Sequence, residues 1–123
     1  MSKDEILDIH TKQIKRYGGS LGVRDQGLLD SCVFEPQQTF GGAYLYPTIF
    51  DMTAAYVCCL IKNHPFVDGN KRTGMVTAIA FLGLNGVRVY FTQQQFFALA
   101  IVIATSIVDI QKTAQIFSQA VVR

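Results

Sequence analysis

The sequence predicts an all-α fold, a single bundle of about six helices interrupted by one short loop or hairpin. Three observations carry that prediction. Apolar residues recur at helical spacing in most segments. Gly and Pro cluster between those segments rather than inside them. Only Val87–Phe91 (VRVYF) alternates as a strand does. Half of the 123 residues are hydrophobic and 16% are charged, against roughly 25% in an ordinary soluble domain. This balance excludes a disordered chain. Residues 1–123 are therefore expected to form a single domain that needs no disulfide or metal to fold.

The elements follow in order. Lys3–Arg16 places Ile6, Leu7, Ile9 and Ile14 among polar residues, with Ser2 and Glu5 as a capping box and Gly18–Gly19 as the stop. Gln26–Phe34 is a short helix ending before Pro36. Gln37–Pro47 carries a glycine pair and three aromatics, so it reads as an ordered loop or hairpin. Thr48–Asn63 has almost no polar face between Ala54 and Ile61, which predicts a central helix. A helix near Asn70 to Leu84 follows the break at His64–Pro65, and two more span about Gln93–Ser106 and Asp109–Val122.

Several function classes are disfavoured at this level. Eleven Lys and Arg against nine Asp and Glu leave a net charge of +2, too balanced to predict direct nucleic-acid binding. The most apolar run, Phe96–Ala104, falls short of the about 20 residues a membrane span requires. The charged N-terminus predicts no export signal. Cys32, Cys58 and Cys59 have neither zinc-site nor disulfide-framework spacing. Cys58 and Cys59, in the apolar run TAAYVCCLI, read as small buried hydrophobes, and the usage of all three fits a reducing cytoplasm.

Chemistry concentrates in Asn63–Gly74, NHPFVDGNKRTG. This polar insert lies between two apolar helices, and unpaired polar groups beside a core cost several kcal/mol (~2–7). A helix starting at Asn70 would leave the N–H groups of Gly69, Asn70 and Lys71 without intrahelical partners, at the positive end of the dipole. That is an anion site, which Gly69 lets a phosphate approach and to which Lys71 and Arg72 add charge. Asp68 is a candidate magnesium ligand beside a phosphate. Histidine is the side-chain type suited to proton transfer near neutral pH, and His64 is placed to accept a proton from an attacking hydroxyl. The residues alone fit equally well a capped loop of ordinary turn chemistry, in which Phe66 is a core anchor and His64 is structural. No GxxxxGK[ST] or GxGxxG occurs. His10 reads as a surface or capping side chain, Lys62 as a solvated helix end, and Arg16 as part of the Tyr17–Gly19 turn.

HPFVDGNKRTG resembles the HxFx(D/E)GN(G/K)R signature of the Fic/Doc superfamily. Within it the chain is more similar to the Doc (death on curing) toxins, through Lys71 and Thr73. RYGG (Arg16–Gly19), DQGLLDS (Asp25–Ser31), QQTFGG (Gln37–Gly42) and FLGLNGVRVY (Phe81–Tyr90) extend the resemblance over most of the chain. The resemblance implies an all-α fold with catalytic residues His64 (general base), Asp68 and Arg72, and with ATP and Mg2+ as cofactors. Asp68 would hold the metal. Gly69, Asn70 and Lys71 would form the phosphate nest, with Arg72 on a further phosphate. Phe40–Pro47 would be the flap that holds a target segment in extended form.

Two departures bear on the reaction. AMP-transferring members carry a second Arg where this chain has Met75, and Gly where it has Lys71. The resemblance therefore implies a kinase-type transfer of the γ-phosphate to a threonine of elongation factor Tu, stalling translation. A Fic-type AMP transferase and a non-catalytic antitoxin-binding module are the alternatives. Glu occurs only at Glu5 and Glu35, so the family's inhibitory (S/T)xxxE(G/N) helix is not matched. Restraint by a Phd-type antitoxin is expected instead, with the apolar helices after Gln93 offering a groove.

Overall fold

The structure, a computed structural model, describes residues 1–123. Helix α1 (Lys3–Tyr17) starts at the expected capping box: Ser2 Oγ accepts from the Glu5 N–H, and Glu5 Oε1 accepts from the Ser2 N–H. It buries Ile6, His10 and Ile14 on one stripe and ends at Gly18, whose φ of +88° suits only glycine. Asp25 caps α2 (Gln26–Phe34), and a 3-10 turn over Glu35–Gln37 follows, with Pro36 buried.

The expected loop or hairpin is a hairpin. β1 (Thr39–Phe40) pairs antiparallel with β2 (Ala43–Tyr44). Gly41 and Gly42 both take positive φ, the requirement of a tight two-residue turn matched to strand twist. Its side chains are exposed, Phe40 to 84%. At its base the Tyr46 phenol donates to Glu35 Oε1 at 2.6 Å. Burial, reinforced by that carboxylate, pushes the Tyr46 pKa up to about 12. Between pH 10 and about 12 the folded chain thus keeps a proton the unfolded chain releases. The stabilisation is complete below pH 10 and lost across that window. Alkaline titration of urea unfolding should show this loss in the wild type and a flatter profile in Tyr46→Phe.

Helix α3 (Ile49–Asn63) is the central element, capped by Thr48 and buried along eight positions. It divides the core in two. Tyr56 and Leu60 pack with Ile6, Leu29 and Phe66 on the side of α1 and α2. Val57, Cys58 and Ile61 pack with Met75, Leu82, Leu99, Ile103 and Phe117 from α4 (Asn70–Leu84), α5 (Gln93–Ala104) and α6 (Ile110–Gln119). Gly74 allows the close α3–α4 approach: a Cβ there would meet Ile61 Cγ1 at 2.9 Å. The expected extended piece after α4 finds its partner at the C-terminus. Val89 bridges Val121, and the N–H groups of Tyr90 and Val122 donate to the Ala120 and Arg88 carbonyls. This pairing ends α6 at Gln119, short of the expected Val122.

The cysteine reading needs correction. Cys32 of α2 and Cys59 of α3 are paired as a disulfide, with their Cα atoms 5.4 Å apart, and only Cys58 is free and buried. The sequence placed them 27 residues apart without showing that α2 packs its buried face on α3. A link closing a loop of that length stabilises by about 3–4 kcal/mol. Cysteine usage therefore no longer argues for a reducing compartment. No helix is long and apolar enough to cross a membrane.

Candidate active site

The loop between α3 and α4 is built by opposed helix ends. α3 stops at His64, which adopts the left-handed conformation (φ +49°, ψ +57°). For a residue with a Cβ this conformation is uncommon and must be held by its surroundings. Arg24 holds it. Its Nε donates to the His64 carbonyl at 2.6 Å and its Nη2 to the Asn63 carbonyl at 2.7 Å, so one guanidinium satisfies the last carbonyls of α3. The backbone of the same segment runs antiparallel to the loop. The Arg24 and Asp25 N–H groups donate to the Pro65 carbonyl, Val67 N–H donates to the Gly22 carbonyl, and Val23 bridges Phe66.

Asn70 closes the loop from the other side. It is buried; its Oδ1 accepts from the Phe66 N–H at 2.9 Å, and its Nδ2 donates to the Phe66 carbonyl at 3.0 Å. The Asn70 side chain is thus the clasp that shapes the loop, while its backbone N–H, the group expected in the phosphate nest, stands in the first turn of α4. Gly69 (φ +75°) caps that helix without a side chain, and the first bond back to it comes from Thr73 N–H. The N–H groups of Asn70, Lys71 and Arg72 are left unpaired at the positive helix end, whereas the Gly69 N–H, expected among the free ones, is taken by Asp68 Oδ1.

Asp68 accepts from the Gly69 N–H through Oδ1 and from the Ser20 N–H through Oδ2. The Ser20 contact exists because Gly19 has no side chain: a Cβ there would lie 2.7 Å from Asp68 Oδ2. Two lone-pair positions of the carboxylate remain free. No group of three or more His, Cys, Asp or Glu residues gathers that could by itself hold a metal. The arrangement suits a cation held jointly by one carboxylate and phosphate oxygens, as magnesium is.

His64, Val67, Asp68, Gly69, Asn70 and Lys71 line one polar cavity of about 340 Å3. The structure thus brings together His64, Asp68, Gly69, Asn70 and Lys71. Arg72 does not line this cavity; its guanidinium lies 3.7 Å over the Tyr17 ring. A larger apolar groove of about 670 Å3 lies elsewhere, between α5, α6 and residues 90–92.

Three residues that support the site escaped the sequence reading: Arg24, Tyr17 and His10. His10 is 3% exposed, not a surface residue. Its ring stacks on Phe66 (centroids 3.8 Å apart), and its Nε2 lies 2.8 Å from the Asp68 carbonyl. Because a carbonyl only accepts, Nε2 carries the proton. His10→Ala is expected to cost about 1–3 kcal/mol for the orphaned carbonyl alone, read by urea unfolding. His10→Gln, which replaces the donor, should recover part of that loss.

A polar cavity with an imidazole at its edge, a carboxylate with free lone pairs and a helix start with unpaired N–H groups offers a proton acceptor, a cation ligand and an anion site side by side. A family model for the Fic/DOC family matches residues 1–82, which hold every residue of this cavity. The chain belongs to the Fic/DOC family. It is 47% identical over 81 residues to the Toxin Doc of Mycolicibacterium smegmatis, covering 66% of this chain and 62% of that protein. It is 35% identical over 91 residues to the Protein kinase doc of Escherichia phage P1, covering 73% of this chain and 71% of the phage protein. The chain thus spans under two thirds of the mycobacterial toxin's length. Helices α5 and α6 lie beyond the residues matched by the Fic/DOC family model.

Proposed function

We propose that this chain is a Doc-type toxin that transfers the γ-phosphate of Mg-ATP to a protein hydroxyl, the acceptor being a threonine of elongation factor Tu, and so inhibits translation in the cytoplasm. The observation carrying this reading is the convergence of His64, Asp68 and the free N-terminal N–H groups of α4 on one cavity. Bound Mg-ATP supplies the electrophilic phosphorus and the metal's charge. His64 takes the hydroxyl proton. The unpaired N–H groups of α4 and the ammonium of Lys71 receive phosphate oxygens. Arg24 and Asn70 hold His64 and the α4 start in register by fixing the loop at both ends.

Kinase-type transfer is favoured over AMP transfer by two residues. Met75 takes the place of the second Arg of AMP-transferring members and is fully buried, so no second guanidinium serves the site from there. Lys71 puts an exposed cation in the nest where those members have Gly. A Phd-type antitoxin is the proposed restraint. The apolar groove past Gln93 supports docking of an apolar antitoxin segment.

The test is transfer of label to purified elongation factor Tu and to lysate proteins from Mg-ATP carrying it at the α or the γ position. Label transferred from the γ position alone supports the kinase. Transfer from the α position would move the chain to the nucleotidyl transferases. Growth inhibition that survives His64→Asn would leave only the antitoxin-binding module.

A further inference from the structure

We infer that Tyr17 is a positioning residue: its ring face, with Phe97 as a second wall, holds Arg72 as an un-neutralised cation at the proposed phosphate site. This rests on the reading of that site as polyphosphate-binding. Arg72 Cζ lies 3.7 Å from the Tyr17 ring centroid and 5.2 Å from that of Phe97. No carboxylate pairs with Arg72: the ion pairs of the chain are Lys3–Asp30 and Lys12–Asp8. Its Nη1 is buried without a hydrogen-bond partner. A buried guanidinium nitrogen without an acceptor is costly unless an acceptor arrives.

The choice of an aromatic holder has a chemical reason. A carboxylate would fix the guanidinium by its edge, occupying the donors that grip a phosphate and cancelling the charge. A ring holds it by its face through the quadrupole, leaving the in-plane N–H groups free. The placement of Tyr17 is determined by α1. His10, Ile14 and Tyr17 form one helical stripe. Its first member bonds the Asp68 carbonyl, and its second lies 3.0 Å from where a Gly69 Cβ would stand. The stripe thus runs under the loop and ends beneath Arg72. Tyr17 is 56% exposed, so no core packing explains it. Phe97 lies outside the residues matched by the family model, so the second wall is contributed by the chain's own α5.

Calorimetric titration of the full chain with Mg-ATP, and separately with inorganic tripolyphosphate, tests this. Tyr17→Phe should bind within about twofold of the wild type, since the ring face is kept. Tyr17→Leu should weaken both probes about tenfold. In an Arg72→Ala background, Tyr17→Leu should add nothing, because the ring acts only through the guanidinium. Wild-type affinity in Tyr17→Leu, additive losses in the double variant, or equal losses in Phe and Leu would each overturn the inference while leaving the site reading intact. A wild-type chain that binds neither probe would overturn the site reading and the task of Tyr17 together.

Discussion

His64→Asn is expected to remove phosphoryl transfer almost completely, by about 10²–10⁴-fold, the usual worth of a positioned general base. Asparagine is the informative replacement because it tolerates the left-handed backbone this position adopts. The imidazole is exposed and the Arg24 bonds go to the carbonyls of Asn63 and His64, not to the ring. Urea unfolding should therefore change by no more than about 0.5 kcal/mol. Loss of γ-label transfer with an unchanged unfolding midpoint separates a chemical role from a structural one. Retained transfer would show that another group accepts the hydroxyl proton.

Phe66→Ala should be the most destabilising change in the loop. The ring is 1% exposed, packs with Ile6, Leu29, Tyr56 and Leu60, and stacks on His10. Removing it leaves a cavity where α1, α2 and α3 meet, at a cost of about 3–5 kcal/mol. For a chain of this length that lowers the thermal midpoint by about 10–20 °C. Both backbone groups of Phe66 are bonded to the Asn70 side chain, so the loop's clasp loses its support as well. Transfer activity should fall even at temperatures where the variant remains folded. Calorimetry paired with label transfer at low temperature reads the two effects apart.

The sequence was informative where the signal is local. The capping box of α1, the short helix over Gln26–Phe34, the central helix ending at Asn63 and the Asn70 start of α4 each depend on residues close in sequence, and all are found where expected. That His64, Asp68, Gly69, Asn70 and Lys71 would gather on one loop was legible for the same reason: they are close in sequence. What was not legible depends on long-range packing. His10 meets Asp68 across 58 residues and Arg24 meets His64 across 40. An amphipathic pattern marks a buried face without saying that its histidine will face a carbonyl. The Cys32–Cys59 link was missed likewise, since only the docking of α2 on α3 brings the two together.

The partition made by α3 has a mechanical consequence. Phe66 and the His10 ring stacked on it, which hold the loop from below, lie with the cluster on the α1–α2 side, whereas α5 and α6 pack with α4 on the opposite face of α3. A substitution that repacks the C-terminal helices therefore reaches the loop only through the body of α4 and through Phe97. Strain introduced there is expected to shift the start of α4 while leaving the histidine end of the loop in place.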